Sequence, residues 1–149
     1  MRQRGFTLVE LVAVLVLMGV LAVVAVGRFN PADFQLREAR GELLSALRHA
    51  QELSLSHTGA TPFAVNLSSN GFSVVQGGAP VTDPQTAGSY TRTWGNVSLG
   101  QTGSIVFDGY GEPSLGGGLG WSGNTLPIGM RSGSATATVS VERVTGYVR

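Results

Sequence analysis

The sequence predicts an α+β protein in which a long N-terminal helix carries an antiparallel β domain. Two patterns predict this class. Residues 6–26 form an apolar run that only Thr7, Glu10 and Gly19 interrupt, whereas the chain beyond about residue 60 consists of short alternating stretches between Gly-rich turns, which is typical of strands. With 149 residues, the chain has room for one compact domain and one special segment.

The composition excludes several kinds of site. All ten basic residues are Arg, so a Schiff-base or P-loop lysine is excluded. The absence of Cys excludes disulfides, iron–sulfur clusters and thiol nucleophiles, and two His cannot form a three-histidine zinc site. Asp83, Asp108 and Glu112 are candidate calcium ligands, but isolated acids in Gly-rich turns usually cap backbone amides. We therefore expect no cofactor, no metal and no enzymatic activity.

The apolar run allows three interpretations. As a helix, its 21 residues would extend ~31 Å, enough to cross a bilayer core. A secretory signal peptide with cleavage near Ala25-Val26-Gly27 is one interpretation, although its apolar region is usually shorter. A plain membrane anchor, with Glu10 near the interface, is the second. Arg2 and Arg4 precede the apolar run, and by the positive-inside rule they place the N-terminus in the cytoplasm.

The third interpretation rests on a resemblance. The residues Gly5-Phe6-Thr7-Leu8-Val9-Glu10 resemble the leader junction of type IV pilins and type II secretion pseudopilins. The resemblance implies that a prepilin peptidase cuts between Gly5 and Phe6 and methylates the new amine of Phe6. It also implies that the Glu10 carboxylate pairs with the Phe6 amine of a neighbouring subunit. A buried cation and a buried carboxylate need each other to offset their desolvation.

A second helix is predicted after the apolar run. The residues Asn30-Pro31-Ala32-Asp33 form a helix-start pattern, which also predicts a kink or break near residues 27–30. The helix should extend to about Ser56, and its apolar stripe should pack on its own domain rather than on a membrane. The stripe is Leu36, Ala39, Leu43, Leu47, Ala50 and Leu53.

The remaining chain predicts strands. Asn70-Gly71 predicts a hairpin between residues 62–67 and 72–75, and residues 77–90 predict a long loop. Further strands are expected at residues 90–94, 97–99, 105–108, 126–130 and 135–144. The chain then divides into a cleaved leader (1–5), a transmembrane or assembly helix (6–27), its helical continuation (28–58) and a β-rich periplasmic domain (59–149).

The β region is similar to the GspH/FimT family of minor pseudopilins and minor pilins. Phe107-Asp108, Gly111 and Pro113 fit a family turn of the form F-D-x-x-G-x-P. This resemblance implies a structural subunit of the type II secretion pseudopilus in the inner membrane, with prepilin peptidase and other pseudopilins as partners. A minor pilin of a type IV pilus is the alternative.

Nucleic acid is a further partner to consider. Some minor pilins of this family bind DNA through a C-terminal Gly-Arg-x-Arg motif, where this chain has Gly146-Tyr147-Val148-Arg149. Arg149 keeps the second Arg of that motif, Arg143 lies nearby, and Tyr147 could stack on a base. The chain beyond residue 30 has 7 Arg and 8 acids, so a general basic field is not expected. An ordinary strand end with solvated Arg is the alternative.

Overall fold

The computed structural model describes residues 7–26, 31–57, 59 and 61–149. The chain divides into two compact units, the first ending at Pro31 and the second beginning at Ala32. The first unit contains helix α1, Leu8–Val26. The kink predicted near residues 27–30 lies outside the described residues. The domain boundaries predicted at 5–6, 27–28 and 58–59 fall on or beside undescribed residues and stay predictions.

Helix α2, Pro31–Ser56, begins with a proline, whose missing N–H is not needed in the first turn of a helix. One face of α2 is buried in its own domain, as the apolar stripe predicts. Leu43, Ala46 and Leu47 are fully buried, while Leu53 at the end of the predicted stripe is only half-buried. The helix therefore packs as an amphipathic element whose apolar side faces a sheet.

Two antiparallel sheets complete the second unit. The strands are β1 Phe63–Ser68, β2 Gly71–Gln76, β3 Ala79–Pro80, β4 Thr91–Thr93, β5 Ser98–Leu99, β6 Gly103–Phe107, β7 Pro113–Gly116, β8 Thr125–Ser132 and β9 Ala135–Glu142. The larger sheet has the order β3-β2-β1-β6-β7, and β4 also pairs with β2. The smaller sheet has the order β5-β8-β9. This architecture confirms the predicted α+β class.

The last residues of the chain form an additional pairing along β9. Ser140 and Arg149 exchange two backbone hydrogen bonds of 2.8 and 3.0 Å, and the Glu142 N–H donates to the Tyr147 carbonyl (2.9 Å). Val148 lies opposite Val141, and both are buried. The chain end thus covers part of an edge that would otherwise expose unpaired backbone groups.

One hydrophobic core joins α2 to both sheets. Leu43 and Leu47 of α2 belong to the same buried cluster as Ile105 and Phe107 of the larger sheet and Ile128 of the smaller one. Each such side chain contributes about 1.5–3 kcal/mol when it is removed from water. The second unit therefore has a core of its own, without any contribution from disulfides.

The hairpin between β1 and β2 forms where it was predicted, but its turn differs. Ser68 pairs with Gly71, so the two turn residues are Ser69 and Asn70, and neither has a positive φ. Gly71 is needed for another reason. A Cβ at this position would overlap the carbonyl oxygen of Arg92 on β4.

Two other local predictions were incomplete. The predicted loop at residues 77–90 contains β3 and a bridge between Thr82 and Ser89. Strand β7 was not predicted, because Pro113-Ser114-Leu115-Gly116 has no alternation of apolar and polar residues. It forms because β6 provides a template for pairing, with Ile105 opposite Leu115.

A polar network fastens α2 to the β4 side of the domain. Arg92 forms salt bridges with Asp83 and, over 3.5 Å from Nε to Oε1, with Glu42 of α2. The Trp94 indole N–H donates to Glu42 Oε2 (2.7 Å). The Asp83 side chain is only 1% exposed, and it also accepts hydrogen bonds from the Gln85 N–H and the Thr86 hydroxyl, both 2.8 Å.

These contacts change the acidity of Asp83. The backbone N–H of Gln85 is the main cause that lowers the pKa of Asp83 from 3.8 to about 2, with Arg92 and Thr86 adding to it and burial opposing it. Because the pKa is lower in the folded state, the carboxylate stabilises the fold fully above about pH 4, the unfolded pKa range. This stabilisation is lost as the pH falls from about 4 through about 2.

We expect Asp83→Asn to lower the melting temperature of residues 28–149 at ~pH 7 and to flatten its decrease between about pH 4 and pH 2. Thermal melts of the parent and the variant at several pH values measure both effects. Glu112→Gln is the matched control, since its exposed side chain forms none of these bonds. Equal pH profiles for the parent and Asp83→Asn would contradict the proposed role of Asp83.

Candidate functional site

The described N-terminal part of the site begins with a helix cap. Thr7 precedes the first turn of α1, and its Oγ1 accepts a hydrogen bond from the Glu10 N–H (3.2 Å). The Thr7 carbonyl accepts the first helical bond from the Leu11 N–H (3.2 Å). This is the geometry of an N-cap, and Thr-x-x-Glu is the sequence of a capping box. This role of Thr7 was not predicted, although the spacing from Thr7 to Glu10 indicates it.

Glu10 lies in the first turn of α1 and is exposed. A carboxylate here interacts favourably with the positive end of the helix dipole. It is also available to a cation on another chain, because the described residues provide it with no ion pair. Gly5 and Phe6, the predicted cleavage and methylation sites, lie outside the described residues.

Apart from Glu10, the surface of α1 at residues 8–23 is apolar on every side. Among residues 8–23, the large apolar side chains that face outward have exposed fractions from 44% for Val14 to 77% for Leu8 and Val23. In the part of the chain whose side chains the structure describes, no helix reaches the length and hydropathy required of a membrane span.

The three residues considered for DNA contact lie near the end of the chain. Tyr147 and Arg149 are exposed, and residues two apart on an extended segment share a face. Arg143 lies in the turn after β9, with its guanidinium 6.0 Å from the Trp121 ring centre. The structure therefore brings Tyr147 and Arg149 together and directs Arg143 to an aromatic ring.

A clamp formed by Gln51 holds the turn after β9 against the turn that contains Gly111. Gln51 Nε2 on α2 donates to the Gly111 carbonyl (3.1 Å) and to the Thr145 carbonyl (2.9 Å). Gly111 and Gly146 have positive φ angles of 78° and 66°. A Cβ on Gly146 would overlap the Gly111 carbonyl oxygen and the Gln51 amide. Only glycine allows the two turns to approach so closely.

The F-D-x-x-G-x-P segment, residues 107–113, forms the turn that contains Gly111. Asp108 Oδ1 accepts hydrogen bonds from the N–H groups of Tyr110 (2.9 Å) and Glu112 (2.8 Å). Asp83 likewise accepts a bond from a backbone N–H. These contacts confirm that both acids cap backbone amides. The described residues contain no group of three candidate metal ligands, and the expectation that the protein holds no metal stays a prediction.

A shallow groove of about 300 Å³ lies between the first half of α2 and residues 92–97. Its polar groups bond one another, as when Asn96 Nδ2 donates to Gln35 Oε1 (3.3 Å). The ring centres of Trp94 and Phe72 are also 5.7 Å apart. Thr93 contributes a hydroxyl group to the lining, and the Glu42 carboxylate is engaged by Arg92 and Trp94.

Comparison with known proteins adds one finding. Residues 1–26 match the family model described as the prokaryotic N-terminal methylation motif. No curated protein and no solved structure matches the chain. The matched segment includes Gly5, Phe6 and Glu10, and it supports a type IV pilin-like protein whose precursor is processed by prepilin peptidase and which assembles with other pilins.

We expect residues 28–149 to bind DNA more weakly than micromolar at ~150 mM salt, since Arg143 and Arg149 can neutralise about two phosphates. A fluorescence polarisation titration with single- and double-stranded oligonucleotides measures this. Binding that is micromolar or tighter, that disappears in Arg143→Ala/Arg149→Ala and that survives in the control Arg37→Ala/Arg131→Ala would instead establish a DNA receptor.

Proposed function

We propose that this protein is a structural subunit of a type IV pilin-like filament and that it is made as a precursor with a leader of residues 1–5. The observation that carries the proposal is the methylation motif at residues 1–26 joined to a helix whose described surface is apolar apart from Glu10. Such a helix has to be covered, because its exposed side chains contribute about 1.5–3 kcal/mol each on burial.

What covers this helix changes when the subunit assembles. Before assembly, the segment 6–26 lies in the inner membrane. Arg2 and Arg4 hold the N-terminus on the cytoplasmic side, and the β domain lies in the periplasm. After assembly, the same apolar surface packs among the helices of neighbouring subunits. A helix that is apolar all round suits both surroundings.

The Glu10 carboxylate directs this assembly. Cleavage after Gly5 leaves a cationic amine on Phe6, in a part of the filament that excludes water. Neither charge is stable there without the other, since breaking a buried ion pair costs about 3–5 kcal/mol. A neighbouring subunit provides the partner charge, so that Glu10 favours subunits that are correctly placed along the filament.

The β domain acts as a rigid structural module rather than as an enzyme. The paired polar groups of the groove, in which Glu42 bonds Arg92 and Trp94, support this role. Within the pilin-like class, we assign the chain to the GspH/FimT minor pseudopilins of type II secretion because of the Asp108 turn. The alternative is a minor pilin of a type IV pilus. Loss of protein export, as opposed to loss of pili, in a deletion strain separates the two.

Co-expression with a prepilin peptidase should shorten the chain by the five leader residues and add one methyl group to Phe6. Intact-mass measurement of the membrane fraction checks both changes. Gly5→Leu is the control and should block the cut, because a side chain at this position obstructs the approach of the peptidase. Cleavage near Gly27, or an unprocessed chain, would refute the pilin-like proposal.

Substitutions at Glu10 separate its charge from its capping role. Glu10→Gln keeps the capping-box side chain but removes the charge, and it should reduce filament assembly by about tenfold or more. Thr7→Ala removes the cap, costs about 1 kcal/mol of helix stability and should reduce assembly less. Assembly is measured by pelleting sheared filaments, with processing checked by mass. Normal assembly of Glu10→Gln would leave Glu10 with a local role only.

A further inference from the structure

Thr7 determines where α1 begins. The helix extends from Leu8 to Val26, and Thr7 itself is not helical. Its Oγ1 accepts a hydrogen bond from the Glu10 N–H (3.2 Å), and its carbonyl accepts one from the Leu11 N–H (3.2 Å). A residue with this geometry closes the N-terminal end of a helix, because its side chain takes the place of a preceding carbonyl. The capped end lies two residues after Gly5 in the chain.

The composition of the leader does not by itself end the helix. Residues 2–4 are Arg-Gln-Arg, and both residue types are strong helix formers, whereas Gly5 is a weak one. Each residue added to an existing helix gains a backbone hydrogen bond, and apolar surroundings increase the value of that bond. The positive end of the helix dipole repels Arg2 and Arg4. This repulsion and the Thr7 cap act in the same direction, so loss of the cap weakens the stop without abolishing it.

The position of the stop matters for hydrolysis of the Gly5–Phe6 peptide bond. Water adds to the Gly5 carbonyl carbon and the C–N bond breaks; the hydroxyl stays on the carbon and the proton goes to the Phe6 nitrogen. In a helix continued past Thr7, the Gly5 carbonyl would accept the Val9 N–H. A carbonyl in such a bond, with its carbon shielded by the next turn, is a poor target for a peptidase.

We propose that Thr7 is a positioning residue for precursor processing. By capping α1 at the Glu10 N–H, the Thr7 hydroxyl prevents the helix from enclosing the Gly5–Phe6 bond. Thr7 acts through the start of the helix and not through contact with the peptidase. The inference rests on the proposed processing by prepilin peptidase, and it adds the residue that prepares the bond for the cut.

Three variants at position 7 separate the cap from the shape of the side chain. Thr7→Val keeps the shape of threonine without the capping oxygen, whereas Thr7→Asn changes the shape and keeps a strong cap. In cleavage of the full-length chain by purified peptidase in detergent micelles, we expect Thr7→Val to lower kcat/KM by about threefold or more. Thr7→Asn and Thr7→Ser should retain the parent value. Val12→Ala, one turn further along α1, is the matched control and should also retain it.

Two further measurements test how Thr7 acts. The loss in Thr7→Val should appear as a higher KM with an unchanged kcat, because the cap changes only the fraction of chains that present the bond. Carbon NMR shifts of residues 4–6 in the uncut Thr7→Val chain should move towards helical values, whereas those of Thr7→Asn should match the parent.

Several results would overturn this role. Equal cleavage of the parent and Thr7→Val would show that the cap is not needed, as would carbon shifts that do not change. Slow cleavage of Thr7→Asn, or a loss in kcat alone, would indicate that the peptidase contacts the Thr7 side chain directly. A parent chain that stays uncut would refute the pilin-like proposal itself, so the two failures are distinguishable.

Discussion

The burial of one face of α2 is the constraint on which the second unit depends. Neither sheet covers its own apolar face, and Leu43 and Leu47 of α2 belong to the one buried cluster that also contains residues of both sheets. Polar residues of the same helix provide anchoring points at several levels. Glu42 receives Arg92 and Trp94, Arg48 donates to the Val148 carbonyl (3.0 Å), and Gln51 holds two turns.

The two units place their apolar surface in opposite ways. The second unit encloses most of its large apolar side chains; among its described residues the exposed ones are Phe34, Leu55, Tyr110, Val144 and Tyr147. The described part of α1 exposes nearly all of its own. The free energy that holds subunits together is therefore concentrated in α1, where it is large but has little geometric specificity. Charged and aromatic groups, which require matched positions, are the features that can define register between neighbours.

Much of this arrangement follows from the sequence, because periodicity and turn residues are local properties. The spacing of Leu36, Ala39 and Leu43 defines the buried face of α2, and the alternation around Val139 and Val141 defines β9. The cap at Thr7 was equally available from the Thr-x-x-Glu spacing. In the candidate site, the leader junction and Glu10 were identified from a short motif that needs no knowledge of the fold.

Other features depend on residues that are distant in the chain. Strand β7 has little strand character of its own and exists because β6 lies beside it. Gly71 is required by the backbone of Arg92, 21 residues later. Gln51 joins positions 60 and 94 residues away, and a single glutamine on a helix surface carries no pattern that indicates such contacts.

The position of Trp94 gives the protein an internal optical probe. Its indole donates to the Glu42 carboxylate on α2, and its ring packs against Phe72 on β2. Indole emission is sensitive to the polarity around the ring and to a nearby negative charge. Any event that moves the first half of α2 away from the larger sheet alters both at once. Fluorescence of this one residue, measured in a chain with Trp121→Phe, thus follows the helix–sheet junction without an added label.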